Sequence, residues 1–547
     1  MRLKYFAIFT VVFTLGAAFA SAQTAPKSVD ACSPPPGAIA PSLPAKILTG
    51  QGTVHFPITT NSPEAQKFFD QGVAQMHSFW AREAERSFLQ AAQLDPTAPM
   101  PYWGIAMVAA GDWRPRFQID TGKSAFGAGK PAVTKNRAET AAEKAVELSA
   151  VPQKTTELEK LYIASIVARR DRKQKDGDSA FVKSLRTLLA KYPDEVEAKT
   201  YLALMIMRGF STPDKKPKQP TSMEAVAILR DLVVKFPDHP GVHHYIIHGF
   251  EGSSFASDAW PSCKRYAELV PNIPHALHMP GHIYSQTGKW DEAIQSFSAA
   301  ADNERGYMKA DAMYGNGHHG HNVNYLATAY SFEGKYDPAV EAARHLLTFK
   351  ENPRELKQSD LTTGAYAQGW FALLRIMVQF RKWDDILAAD QLPVLNRHRQ
   401  LAWRHWARSM AYAARGNVES AKAESKEMDV SLLAFRQKMK RKIPEELVVA
   451  RRELDGHLAL AEGKISAGLR ILQVASNGER KLVYTEPPYY PRPVAEVLGQ
   501  AALQNGKLDL AEHAFREALR QYPANAHALS GLRDTLQREK KPLEAGL

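Results

Sequence analysis

The chain has 547 residues, 44% of them apolar, with 70 lysines and arginines against 58 aspartates and glutamates and a formal net charge of +12. That apolar content supports a substantial folded core, and the charge is mild when spread over such a length. Two cysteines, Cys32 and Cys263, exclude a disulfide framework and leave either one bridge or two unpaired thiols.

The N-terminus reads MRLKYFAIFTVVFTLGAAFASAQ. Arg2 and Lys4 form a basic start, Tyr5 to Phe19 an apolar stretch, and Ala20-Ser21-Ala22 a small-x-small cleavage site. The pattern predicts a signal peptide over residues 1–22, cut between Ala22 and Gln23, and an exported chain, periplasmic or secreted. Export speaks against nucleic acid as a partner. Cys32 lies past the cut rather than at it, which argues against lipoprotein processing. No later apolar run is long enough to span a bilayer. Residues 23–60, rich in Pro, Ala, Ser and Thr, read as a flexible or extended leader.

From 61 to about 540 the pattern is helical, and small residues recur with a period of about 34. The clearest copy, 492–525, has Leu498, Gly499, Ala502, Ala511, Phe515, Ala518 and Pro523 at tetratricopeptide positions 7, 8, 11, 20, 24, 27 and 32. Small residues at positions 8 and 20 let two antiparallel helices approach, and the proline ends the second. Phe68, Gly72, Ala84, Phe88, Ala91 and Pro96 repeat the register near the start; Leu277, Gly281, Tyr284, Ala293, Phe297 and Ala300 repeat it in the middle. No sustained alternating run signals a strand. The expected fold is all-α: one continuous right-handed α-solenoid of about ten helix pairs.

Ten of the 18 histidines fall between residues 239 and 321. In the repeat register, His244 and His278 take position 5, His248 and His282 position 9, and His275 and His321 position 2. Those positions lie about 130° around the first helix from its packing stripe, on the face that lines the concave groove. His243, on the packing stripe, reads as a core histidine; His239, His318 and His319 precede their helices and read as caps or loop residues. Imidazoles four apart on a helix stand about 6 Å apart at Cβ, and neighbouring helices about 8–10 Å apart, so two such pairs can converge on one ion. All-imidazole ligation suits Zn, Cu, Ni or Fe. The expected ligands are His244, His248, His275, His278, His282 and His321, spanning a histidine-rich groove within 239–328. Pro280 lies between His278 and His282, so the helix either kinks there or starts near it. Glu251 and Asp258 are the nearby carboxylates, both in an expected loop; Glu251 reads as a surface group or a base beside a metal.

Other signals carry less. The stretch GKSAFGAGKP (122–131) lacks the residues of a phosphate loop. Neither His-Glu-x-x-His nor Gly-x-Ser-x-Gly occurs. The tryptophans 103, 113, 370 and 403 read as packing.

The stretches FDQGVAQMHSFWAREAERSFLQAAQLDP, YWGIA, HPGVHHYIIH, HALHMPGHIY, HNVNYL and EPPYYPRPVAEVLGQAAL span nearly the whole chain beyond the leader. Together they resemble a family of exported bacterial tetratricopeptide repeat proteins with a histidine-rich central groove. The resemblance implies the repeat fold. Members often carry Cys-x-x-Cys just before Tyr-Trp-Gly; here Ala98 and Pro101 stand there, and Ala81 replaces a nearby histidine, which leaves no thiol role in the first repeat. The expected function is a scaffold that binds a protein or peptide in its concave groove and a divalent transition metal through the histidines. The alternative is a metal-dependent hydrolase or oxidoreductase centred on the same groove.

Overall fold

Glycine and phenylalanine sixteen residues apart set the spacing of the helix pairs. Phe88, Phe297 and Phe515 are fully buried on second helices. A Cβ added at Gly72, Gly281 or Gly499 on the facing first helix would lie 2.5, 2.6 or 2.9 Å from the ring. The next helix closes on the same ring: Gly104 meets Phe88 and Gly531 meets Phe515. Phe88 and Phe515 therefore each fill a space that three helices leave, and only glycine lets the backbones come so near.

The computed structural model describes residues 40–115, 136–152, 154–311, 314–315, 317–350, 364–388, 390–482 and 485–542. Among these residues it is an all-helical solenoid with 23 α-helices and no strand; one isolated bridge joins Phe210 and Pro217. The cleavage site, Cys32 and the stretch 122–131 lie outside the described residues. A minority of the helix starts carry side-chain caps. Asn136 and Thr156 each accept from the backbone three residues on, and Glu139 and Glu159 reach back to complete capping boxes. Gly334 and Gly506 turn between paired helices at φ 83° and 67°, a backbone region that disfavours other residues. No described helix is long and apolar enough to cross a membrane.

One segment differs from the sequence expectation, and a second decides between alternatives it left open. Residues 40–60, the end of the expected leader, form no helix and are packed rather than free. Val54 and Phe56 are buried. Helix glutamines accept the backbone N–H groups of the segment, Gln90 from Ala45, Gln71 from Leu48 and Gln66 from Ile58. The helix Pro274–Gln286 runs through Pro280 without starting there, so His275, His278 and His282 stay on one helix. The tryptophans 103, 113, 370 and 403 are buried, as packing residues should be.

The array curls back on itself. Trp290 Nε1 donates to the Pro523 carbonyl at 2.9 Å, Tyr522 stacks on Phe332 at 4.8 Å, and His527 Nε2 donates to the Ser331 carbonyl at 3.0 Å. The stretch 485–493, before the helix Val494–Gln504, runs as a strap from His282 past Arg375 to Glu453. Arg375 holds it: the guanidinium is buried, lies over Phe371, and donates from Nη2 to the Pro488 carbonyl at 2.7 Å. Burial lowers its pKa to about 10. Tyr490 and Arg492 anchor the other end of the strap on buried Glu453.

Candidate metal centre

The six histidines fall into two groups of three. His244 and His248, on the helix Pro240–Phe250, meet His275 from the helix Pro274–Gln286. His278 and His282, on that second helix, meet His321 from the helix Gly317–Phe332. Within each group the ligand nitrogens lie within 4.8 Å of one another. Two i, i+4 pairs do not converge on one point, as the spacing suggested. The helix-to-helix step sets each pair against a single ring of the next helix instead.

In the second group the Nε2 atoms face each other. His278 Nε2 lies 2.6 Å from His282 Nε2 and 3.2 Å from His321 Nε2. Zn–N bonds of about 2.0–2.1 Å put tetrahedral nitrogens about 3.3 Å apart, a spacing that the His278–His321 pair has and the shorter His278–His282 pair would reach by opening. His282 Nδ1 donates to Glu251 at 2.8 Å and lies 3.3 Å from Glu486 on the strap. Burial opposes charge on His282, but Glu486 and Glu251 outweigh it and push its pKa up to about 10. Burial works to raise the Glu251 pKa, yet His282 and His248 hold the carboxyl well below its usual range. Burial and the nearby Glu251 push Glu486 up.

The first group is enclosed by aromatic rings. His244 Nδ1 donates to the His77 carbonyl, which leaves Nε2 as the lone-pair nitrogen; Nε2 is buried without a hydrogen-bond partner, as is His275 Nε2. Tyr266 stacks on His244 at 4.9 Å. Phe79 lies 4.5, 5.4 and 5.5 Å from the rings of His244, His248 and His275. Its φ of 53° is rare for a bulky side chain and turns the ring onto the cluster. Burial, and then neighbouring imidazoles, lower the pKa of His244, His275, His278 and His321 well below 6.5. Burial likewise lowers His248, against the pull of Glu251. These rings are neutral at pH 7, the form that binds metal.

Several expectations need correction. His244, His248, His278 and His282 are at most 1% exposed, so this face is not an open groove wall: Phe79 covers one group and the strap the other. Glu251 is not a surface group but is buried against His282. His318 and His319 lie within the helix Gly317–Phe332 rather than before it, and His318 Nδ1 bonds to Glu304 at 2.8 Å. Asp258 pairs with Arg230 at the surface. Other expectations hold. His243 is satisfied by Ser262 and the Pro237 carbonyl, and His239 caps the helix Pro240–Phe250.

A third cluster, His77–Glu197–His239, was not foreseen from the sequence. Glu197 accepts from His77 at 2.7 Å and from His239 at 2.9 Å; His77 Nδ1 meets the Tyr245 hydroxyl, and His239 Nδ1 accepts from Val242 N–H. Every imidazole nitrogen there has a protein partner, which marks a structural network rather than a ligand set.

The sequence profile of the tetratricopeptide repeat matches residues 496–525, within the copy read at 492–525. The chain is thus an α-solenoid that carries this repeat, a fold suited to protein partners. No curated protein matches it in sequence. Among solved structures it is similar to the APC/C heterotetramer Cut9–Hcn1, at 13% identity over 89% of this chain and 79% of that one, with a TM-score of 0.28. It is similar to yeast Tom70 at 11% identity over 88% and 90%, with a TM-score of 0.27. A human IFIT1 dimer with m7Gppp-AAAA aligns at 11% identity over 88% and 91%, with a TM-score of 0.31. At such TM-scores the fold assignment rests on the chain's own packing.

Proposed function

We propose that this protein is an exported tetratricopeptide scaffold that binds a divalent transition metal through its buried histidine cluster. One observation carries the reading: the Nε2 atoms of His278, His282 and His321 face one another while Glu251 accepts from His282 Nδ1. A carboxylate behind a ligand imidazole fixes its tautomer and raises its basicity, the usual support of a metal-bound histidine. Imidazole ligation suits Zn, Cu, Ni or Fe, and export rests on the leader of residues 1–22.

Burial favours the scaffold over the metal-dependent enzyme. An open coordination position serves catalysis only where substrate reaches it, and four of the six rings are nearly inaccessible. A metal held by His278, His282 and His321 ties two successive first helices together and stiffens the surface offered to a protein partner. The test is titration of untagged, metal-stripped protein with Zn²⁺ and Cu²⁺ against a chromophoric chelator. The reading expects binding tighter than micromolar that His278→Ala/His282→Ala weakens at least tenfold. Binding no tighter than micromolar, or equal in both proteins, refutes it.

A further inference from the structure

We propose that the cluster holds two metal ions at two separate three-imidazole sites, built by one ligand module repeated one step along the solenoid. The proposal rests on the metal-binding reading above and extends it from a cluster to a count and an arrangement.

The module is a pair of histidines four apart on the first helix of one repeat, at register positions 5 and 9, with a third at position 2 of the next first helix. His244, His248 and His275 make one copy; His278, His282 and His321 make the next. The helix Pro274–Gln286 serves both, giving His275 to one site and His278 and His282 to the other. One turn of helix separates the roles, and the rings of His275 and His278 lie 6.2 Å apart. The series stops one repeat later, where the paired positions hold Asn324 and Thr328. Thr328 instead bonds to the backbone of Asn324.

Orientation of the donors favours two centres over one. In the first copy, His244 has its Nδ1 committed to the His77 carbonyl, and the Nε2 atoms of His244 and His275 are buried without a hydrogen-bond partner. Burying such atoms unpaired is costly, a cost that a shared cation removes. In the second copy, the Nε2 atoms of His282 and His321 both turn toward that of His278. Glu251 stands between the copies. One oxygen accepts from His282 Nδ1 at 2.8 Å, and the other lies 3.7 Å from His248 Nδ1. A single carboxylate thus backs one ligand ring of each site.

The surroundings set an order of filling. Glu251 and Glu486 both flank His282, whereas Phe79 and Tyr266 enclose His244. A divalent ion gains more from two nearby carboxylates than from aromatic walls, so the His278–His282–His321 site fills first.

The experiment counts Zn²⁺ per chain by elemental analysis of untagged full-length protein after equilibrium dialysis. It uses wild type, His244→Gln/His275→Gln and His278→Gln/His321→Gln, glutamine keeping a polar group of similar bulk. Circular dichroism restricts the comparison to folded variants. Should either variant fail to fold, a two-step isotherm of the wild type alone decides the stoichiometry. The expected result is two ions in wild type, one in each variant, and loss of the tighter ion in His278→Gln/His321→Gln. One ion per wild-type chain overturns the two-site arrangement and leaves the metal-binding reading standing. No ion overturns both.

Discussion

Glu251 accepts a hydrogen bond from His282 Nδ1 at 2.8 Å, and the partners sit on different repeats, the carboxylate just past one first helix and the imidazole inside the next. The contact ties charge to geometry: the carboxylate keeps the ring oriented and its Nε2 aimed at His278. Glu251→Gln keeps the shape and removes the charge. Removing the partner that orients a ligand imidazole typically costs 10–100-fold in metal affinity. Chelator competition should show a loss in that range for the variant, with its helicity unchanged by circular dichroism.

Packing of the repeat makes a second prediction. A Cβ at Gly281 would lie 2.6 Å from the fully buried ring of Phe297, so Gly281→Ala forces the two helices apart. Overpacking of this kind costs about 1–3 kcal/mol. Because Gly281 adjoins His282, the variant should also bind metal more weakly. Gly416→Ala is the contrast: nothing lies within 4 Å of its added Cβ, although its φ of 74° adds local strain. It should leave metal affinity intact. Urea melts and metal titrations of both variants check the pair.

Stability of the metal-stripped protein should peak near pH 6.5. Burial lowers the folded-state pKa of His77, His244, His275, His278 and His321. Below about 6.5 the unfolded chain takes up protons there that the folded chain does not, so stability falls as pH falls. His282 has the opposite sign. With its folded pKa raised to about 10, its contribution is fully present below 6.5 and lost as pH rises toward 10. Each group contributes a slope of about 1.4 kcal/mol per pH unit within its window. Urea midpoints at pH 5.0, 6.5 and 9.5 should therefore be highest at 6.5; a midpoint that rises steadily with pH would contradict the assignment.

The fold was legible in the sequence because its determinants are local and repeated. Gly72, Gly281 and Gly499 each precede their phenylalanine by one fixed interval, and the same register put six histidines on one helical face. The grouping into threes was not legible. It depends on the step between helices, which sequence spacing does not encode. The cover was hidden for a related reason: Phe79 and Glu486 reach the cluster from far along the chain, where no periodicity points to it. Glu251 left a trace, three residues after His248, but its expected loop position concealed a buried carboxylate.

The strap gives a further prediction. Arg375 donates to the Pro488 carbonyl from a buried position. Arg375→Met keeps the apolar stem and removes that donor. Hydrogen exchange should speed up over 485–492 relative to wild type, with the helix Pro63–His77 unchanged. The expected loss of stability is about 1–3 kcal/mol.

The central claim, a metal held by buried imidazoles, is tested most directly by X-ray absorption at the zinc edge of Zn²⁺-loaded protein. The account predicts a first shell of nitrogen at about 2.0–2.1 Å with the outer-shell scattering of imidazole rings, weakened in His278→Gln/His321→Gln. A first shell of oxygen alone, without imidazole scattering, would contradict it.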